Sequence, residues 1–94
     1  MEERKVISEH TIMSPGVCDE VLHNKEFKHF VMRCLNRHMS GDWGDVTAED
    51  ASANDFNLQK NDGRLTSYYT GNDLCKDICI VTNPLYRKTF IVFP

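Results

Sequence analysis

Four cysteines and four histidines in a chain of 94 residues are the side chains that suit a zinc ion. Cys34 and His38 lie four residues apart, so on a helix they share one face and can converge on one ion. Cys75 and Cys79 have the same spacing in a segment that predicts a strand, where they would lie about 13 Å apart and could not share an ion. A zinc site would therefore be built on Cys34 and His38, with distant ligands such as Cys18, His10 or one of the strand cysteines.

The alternative interpretation of Cys34 and His38 is structural. Cys34 can serve as a small apolar side chain of the core, and His38 can act as a cation near the C-terminus of a helix. A catalytic Cys-His pair needs an exposed thiolate, but Cys34 falls on the apolar stripe of its predicted helix. The chain also has no phosphate-binding loop, dinucleotide fingerprint or nucleophile elbow. The sequence favours a binding module over an enzyme, with no required cofactor and zinc as the one alternative.

A second distinctive feature is the segment Ser-Gly-Asp-Trp-Gly-Asp at residues 40–45, where two glycines flank a large aromatic residue. This composition predicts an ordered loop. The loop and the segment after it supply the candidate partner-binding residues Asp42, Trp43, Asp45, Glu49 and Asp50. Three interpretations stay open: the aspartates bind backbone N–H groups while the tryptophan fills the core, the set contacts a partner with the tryptophan as anchor, or the carboxylates hold a cation.

Charge is unevenly distributed along the chain. The net charge is −3 with a pI near 5.7, which gives no field to hold a nucleic-acid backbone, so direct nucleic-acid binding is not expected. Between residues 41 and 62, six carboxylates are accompanied by the single base Lys60. Such a surface steers association with a basic protein, although many acidic helices are simply solvated.

The periodicity of apolar residues predicts an α+β fold in one domain, residues 1–94. An N-terminal strand and about three short helices are expected to pack on a C-terminal three-stranded antiparallel meander. The predicted elements are a strand over 4–13, a helix after Ser14, a helix from Glu26 to His38, a helix over 48–60, and strands over 64–70, 74–82 and 88–93. The last strand is apolar on both faces, which indicates a central or covered position.

One hydrophobic core is expected to join the long helix and the meander. Its predicted members are Phe27, Phe30, Val31, Leu35, Ile80, Ile91 and Phe93. Neither a secretory signal nor a membrane-spanning run of about 20 apolar residues is visible, so we expect a cytoplasmic protein that does not act at a membrane. In that compartment the cysteines are expected as thiols or metal ligands.

The loop and its flanks resemble a family of small proteins of bacterial plasmids, integrative elements and phages. The shared motif is Arg-His, one residue, Ser-Gly-Asp-Trp-Gly-Asp, an acidic pair and an asparagine. Here it corresponds to Arg37, His38, Ser40, Gly41, Asp42, Trp43, Gly44, Asp45, Glu49, Asp50 and Asn54. The similarity continues through residues 64–69 and 80–94 and is weaker over the first 25 residues.

The resemblance implies a genomic setting and no catalytic role. Together with the acidic charge, it implies a small protein that binds and inhibits a host defence protein, as anti-CRISPR proteins do. The expected partner is a protein of the bacterial host, for example a CRISPR effector nuclease with a basic surface, whose loading with nucleic acid would be blocked. The alternative is a zinc-binding accessory protein.

Overall fold

The computed structural model of the chain describes residues 5–94, which form three helices and one four-stranded sheet. In chain order the elements are β1 (His10–Met13), α1 (Pro15–His23), α2 (Lys25–Met39), α3 (Ala48–Lys60), β2 (Leu65–Tyr69), β3 (Ile78–Asn83) and β4 (Lys88–Val92). The α+β class, the N-terminal strand followed by helices and the C-terminal meander are confirmed.

The sheet has the strand order β1-β4-β3-β2. The three C-terminal strands are antiparallel, whereas β1 lies at the edge and pairs with β4 in parallel orientation. Because β4 lies between β1 and β3, the prediction of a central position for the last strand is confirmed. β2 forms the other edge, and α3 lies along it: the Asn54 amide donates to the Thr66 carbonyl at 2.7 Å, and Thr66 N–H donates to Asn54 Oδ1 at 3.1 Å.

β2 and β4 differ from the predicted strands by one residue at an end, whereas β1 and β3 start several residues later than predicted. β1 starts at His10, because the preceding segment turns to other partners: Val6 N–H donates to the Met39 carbonyl at 2.8 Å. Arg4, the predicted start, lies outside the described residues. β3 starts at Ile78, because Asn72 and Cys75 bond to each other across a turn, at 2.8 and 3.3 Å. Cys75 therefore does not lie on a strand, contrary to the prediction.

Each helix begins at a side chain that accepts a hydrogen bond from the first turn, which satisfies one of the N–H groups left free there. Ser14 caps α1, Asn24 caps α2 and Thr47 caps α3. The longest helix has 15 residues, and no helix within residues 5–94 is long and apolar enough to span a membrane.

The main core lies between α1, α2 and the inner face of the sheet. All seven predicted residues belong to it, with Leu35 and Phe93 partly buried at its margin. A second, smaller cluster of Val6, Trp43 and Leu65 lies under α3 and is completed by Ala51 and Leu58 of that helix. The loop between α2 and α3 reaches this second cluster, so the distinctive motif is built into the fold.

Candidate functional site

The loop between α2 and α3 runs beside β2 and is fixed to it by backbone hydrogen bonds. Tyr68 N–H donates to the Trp43 carbonyl at 3.2 Å, and Asp45 N–H donates to the Tyr68 carbonyl at 2.7 Å. Gly44, between these contacts, has a φ of 73°, in the left-handed region that favours glycine. The segment is an ordered loop, as predicted.

Asp42 is paired with Arg37 at the end of α2. The guanidinium donates twice to the carboxylate, from Nε to Oδ2 at 2.7 Å and from Nη2 to Oδ1 at 3.2 Å, and Gly44 N–H donates to Oδ1 at 3.1 Å. Arg37 is the main cause of a lowered pKa of Asp42. The backbone of Asp42 is fixed as well, because Tyr69 Oη donates to its carbonyl at 2.6 Å. Asp42 is therefore charged, but Arg37 offsets its charge locally.

Asp45 closes the other end of the loop. Its Oδ2 accepts a hydrogen bond from Thr70 N–H at 2.9 Å, and this bond lowers the pKa of the carboxyl. The side chain is exposed. Asp42 and Asp45 thus both satisfy N–H groups of the fold, which is the structural role that the sequence left open beside partner binding.

Trp43 is buried, with 5% of its surface exposed, and packs in the second cluster under α3. Its Nε1–H donates to Asp55 Oδ1 at 2.8 Å, so the indole ties the loop to α3. The indole and the His38 ring also form a T-shaped contact, with ring centroids 5.5 Å apart. In this conformation Trp43 offers a partner almost no aromatic surface, and the geometry favours the core-filling interpretation over the anchor.

His38 is fully buried between α2 and the sheet. Its Nδ1 lies 2.6 Å from Ser67 Oγ and its Nε2 lies 2.9 Å from Thr82 Oγ1. The hydroxyls continue outward from Thr82 to Thr89 at 2.7 Å and from Thr89 to Ser8 at 2.7 Å. Burial lowers the pKa of His38 to about 4, so the ring is neutral at pH 7. The prediction of a positively charged histidine at the helix end is wrong, because the ring points into the sheet.

Cys34 and His38 do lie on one buried face of α2, as their spacing predicts. Burial raises the pKa of the Cys34 thiol to about 11, which disfavours the thiolate that binds zinc. Both ring nitrogens of His38 already contact hydroxyls, and no group of three or more His, Cys, Asp or Glu side chains within residues 5–94 could hold a metal. Zinc stays a prediction, and binding would require these contacts to rearrange.

Sequence reasoning missed the hydroxyl partners of His38. Ser67 alternates with Leu65 and Tyr69 at the inward positions of β2, and Thr82 follows Ile78 and Ile80 at those of β3. The alternation of each strand places these two hydroxyls in the core, and a buried hydroxyl needs a polar partner. This was the sequence signal from which a polar contact to the sheet could have been predicted. His38 is the polar side chain that faces them from the helix.

Glu49 and Asp50 lie in the first turn of α3, and both are exposed. Asp50 N–H donates to Thr47 Oγ1 at 3.1 Å, and Asp50 is one of the residues that line a groove of about 280 Å³ between α3 and β2. The groove also contains Asn57 and Arg64. The four candidate carboxylates are all exposed, but within residues 5–94 only those of Asp42 and Asp45 accept hydrogen bonds, so Glu49 and Asp50 are the two whose carboxylates the fold does not use.

Comparison of the chain with family models, curated proteins and solved structures gives no match. The resemblance to proteins of mobile elements therefore stays an interpretation of the motif. The geometry supplies a physical reason for each of its central residues: Arg37 pairs with Asp42, the Trp43 indole bonds to Asp55, and Asp45 accepts from Thr70.

We expect the stability of the domain to fall between pH 6.5 and 4 because of His38. Its pKa in the folded state, about 4, lies below the ordinary value of 6.5. Between these two pH values the imidazole is protonated in the unfolded chain but neutral in the folded protein. Stability present above pH 6.5 is therefore lost as the pH falls, by about 3 kcal/mol at pH 4. Urea unfolding at pH 7, 6, 5 and 4 measures this loss.

His38→Gln is the matched variant, because an amide can bond to both hydroxyls but does not titrate. It is expected to be less stable than the wild type at pH 7 and to show a much flatter dependence on pH between 6.5 and 4. An equal slope in both proteins would assign the acid sensitivity to other groups. The carboxyls with lowered pKa, such as Asp42 and Asp45, lose their stabilising charge only as the pH falls through lower values.

Proposed function

We propose that the domain binds a basic protein surface through its acidic face, which we define as Asp42, Asp45, Glu49 and Asp50. The observation that carries the proposal is the exposure of Glu49 and Asp50 on the first turn of a capped helix. Neither forms an ion pair within residues 5–94. Unpaired carboxylates on a rigid element attract a basic partner without first breaking contacts of their own.

The residues of the acidic face have different parts in the proposal. Glu49 and Asp50 contact the partner directly, and Asp45 adds charge from the adjoining loop. Asp42 contributes less, because Arg37 offsets its charge. Trp43 supports the face from beneath, since its indole bonds to Asp55 of the same helix.

The biological role that we propose is inhibition of a host defence protein by binding, in the manner of anti-CRISPR proteins. A CRISPR effector nuclease binds nucleic acid through lysine and arginine side chains that contact phosphates. A folded acidic domain seated on such a basic channel competes with the phosphates and blocks nucleic-acid loading. The resemblance of the motif to proteins of mobile elements supports this role.

The experiment that tests the role is capture of the tagged protein from a lysate of its bacterial host, with bound proteins identified by mass spectrometry. A nucleic-acid-binding protein with a basic surface, captured in low salt and released at high salt, is the expected result. The zinc content of the same preparation is measured. About one equivalent of metal without a specific protein partner would support the zinc-binding alternative in place of the inhibitor.

Neutralising Glu49 and Asp50 is expected to slow association with the captured partner. The double variant Glu49→Gln/Asp50→Asn removes two exposed charges and keeps the side-chain shapes, so the association rate should fall about threefold to tenfold at low salt, with a smaller change in dissociation. Surface plasmon resonance at several salt concentrations measures both rates.

The matched control is Glu26→Gln/Asp73→Asn, which changes the net charge equally. Glu26 also lies in the first turn of a helix, α2, and Asp73 lies in the exposed turn before β3. If both double variants slow association equally, the cause is the net charge of the protein and not the position of Glu49 and Asp50. An association rate that is independent of salt and of Glu49 and Asp50 would place the partner on another face.

A further inference from the structure

Within residues 5–94, the sheet has one face that the helices cover and one open face. Inward side chains such as Ile78, Ile80 and Ile91 are at most 1% exposed beneath the helices. On the opposite face, Ile12 is 43% and Phe90 37% exposed. The helix α3 lies along the edge of β2 and packs Ala51 and Leu58 into the second cluster, on the side of Leu65.

Register places the apolar side chains of the open face in two rows across the strands. The first row runs from Ile12 through Phe90 to Val81, which are partners in adjacent strands. The second row, two residues further along β4, is Val92, Cys79 and Tyr68. The residues of the second row are half-buried, and so is Val81. A contiguous apolar surface of this kind on a small domain marks an interface.

Opposite charges lie at the two ends of this apolar surface. At one end is the positively charged Lys88, which is exposed. At the other end is Asp77, two residues before Cys79, with Oδ2 accepting from the Tyr68 hydroxyl and Oδ1 accepting from Gly71 N–H at 2.7 Å. These bonds lower the pKa of Asp77, so it is negatively charged at neutral pH.

The spacing of these features makes the open face complementary to itself. Along the strands the order is Lys88, the first apolar row, the second apolar row and Asp77, each step being two residues or about 6.7 Å. Consider a two-fold axis that lies between two stacked copies, parallel to their sheets and perpendicular to their strands. Rotation about this axis reverses the order along the strands. It stacks the first row of each copy on the second row of the other and brings each Lys88 to the Asp77 of the other copy.

We propose that a second copy of this chain covers the open face, giving a symmetric dimer of two stacked sheets. The sheet face measures about 19 by 20 Å, roughly 400 Å² per copy, which is less than the about 800 Å² per partner of a standard interface, so we expect a weak dimer that forms at tens to hundreds of micromolar. The acidic face lies on other elements, α3 and the loop before it. The dimer therefore presents two acidic faces, and its formation does not depend on the proposed function.

Sedimentation equilibrium under reducing conditions, from about 5 to 500 µM protein, tests the proposal. The mass is expected to rise with concentration from the 10.9 kDa of the monomer toward twice that value. Phe90→Glu places a charge in the stacked rows and should raise the dissociation constant about tenfold or more. Met32→Glu, at a 50% exposed position on α2, is the matched control and should leave it unchanged.

A charge exchange tests the orientation of the two copies. Lys88→Glu sets two like charges against each other and should weaken the dimer about threefold to tenfold, and adding Asp77→Lys should restore part of the loss. Circular dichroism verifies that each variant is folded. A monomer at every concentration would overturn the proposal, as would a dimer that withstands Phe90→Glu. If Phe90→Glu weakens the dimer but the charge exchange does not change it, the arrangement that places each Lys88 near the Asp77 of the other copy is wrong.

Discussion

Replacement of Trp43 with alanine is expected to lower the free energy of unfolding by about 3 to 5 kcal/mol, the cost typical of deleting a buried aromatic side chain. The indole is 5% exposed and fills the second cluster with Val6 and Leu65. Its loss also removes the hydrogen bond to Asp55 and the edge contact with His38. For a domain of this size such a loss is a large part of the total stability.

Urea unfolding and thermal melts measure the effect of Trp43→Ala. The control is Phe56→Ala, which removes an aromatic side chain that is 56% exposed on α3 and should change the stability by less than about 0.5 kcal/mol. Trp43→Phe separates packing from hydrogen bonding, because it keeps most of the volume and loses the Nε1–H donor. If the melting temperature of Trp43→Ala is close to that of the wild type, the core-filling interpretation is wrong and Trp43 is better interpreted as an interface anchor.

The elements governed by local pattern were predictable from the sequence. The apolar residues at the helical period predicted a helix from Glu26 to His38, and the observed bounds of α2, Lys25–Met39, extend it by one residue at each end. The helix predicted over residues 48–60 has these bounds in the structure, α3 (Ala48–Lys60), with Thr47 as its cap. The alternation in the C-terminal third predicted three strands, because each half-buried strand repeats with a period of two.

The contacts between distant segments were not predictable in this way. His38 meets Ser67 and Thr82, which are 29 and 44 positions away in the chain, and no local pattern specifies such a meeting. The parallel pairing of β1 with β4 likewise joins the two ends of the domain. The contact between Arg37 and Asp42 also depends on the path of the chain after α2, which the sequence pattern does not specify.

Replacement of Gly44 with alanine is expected to destabilise the domain by about 2 to 5 kcal/mol, combining left-handed backbone strain with overpacking. A Cβ at this position would lie 2.3 Å from the Tyr68 carbonyl oxygen and 2.6 Å from the ring of Tyr69. The first of these is a backbone atom that also accepts the hydrogen bond from Asp45 N–H, so it cannot move without releasing the loop from β2.

The matched control for Gly44→Ala is Gly16→Ala in α1. There the added Cβ would lie 3.4 Å from the Phe93 ring, an ordinary contact, and alanine favours the helix, so the stability should be unchanged or slightly raised. Hydrogen exchange locates the damage: the amides of Asp45, Tyr68 and Thr70 should lose protection in Gly44→Ala before those of α2. Unchanged protection at these three amides would mean that the loop is not held to β2 through Gly44, and the rigid support proposed for the acidic face would then have to come from α3 alone.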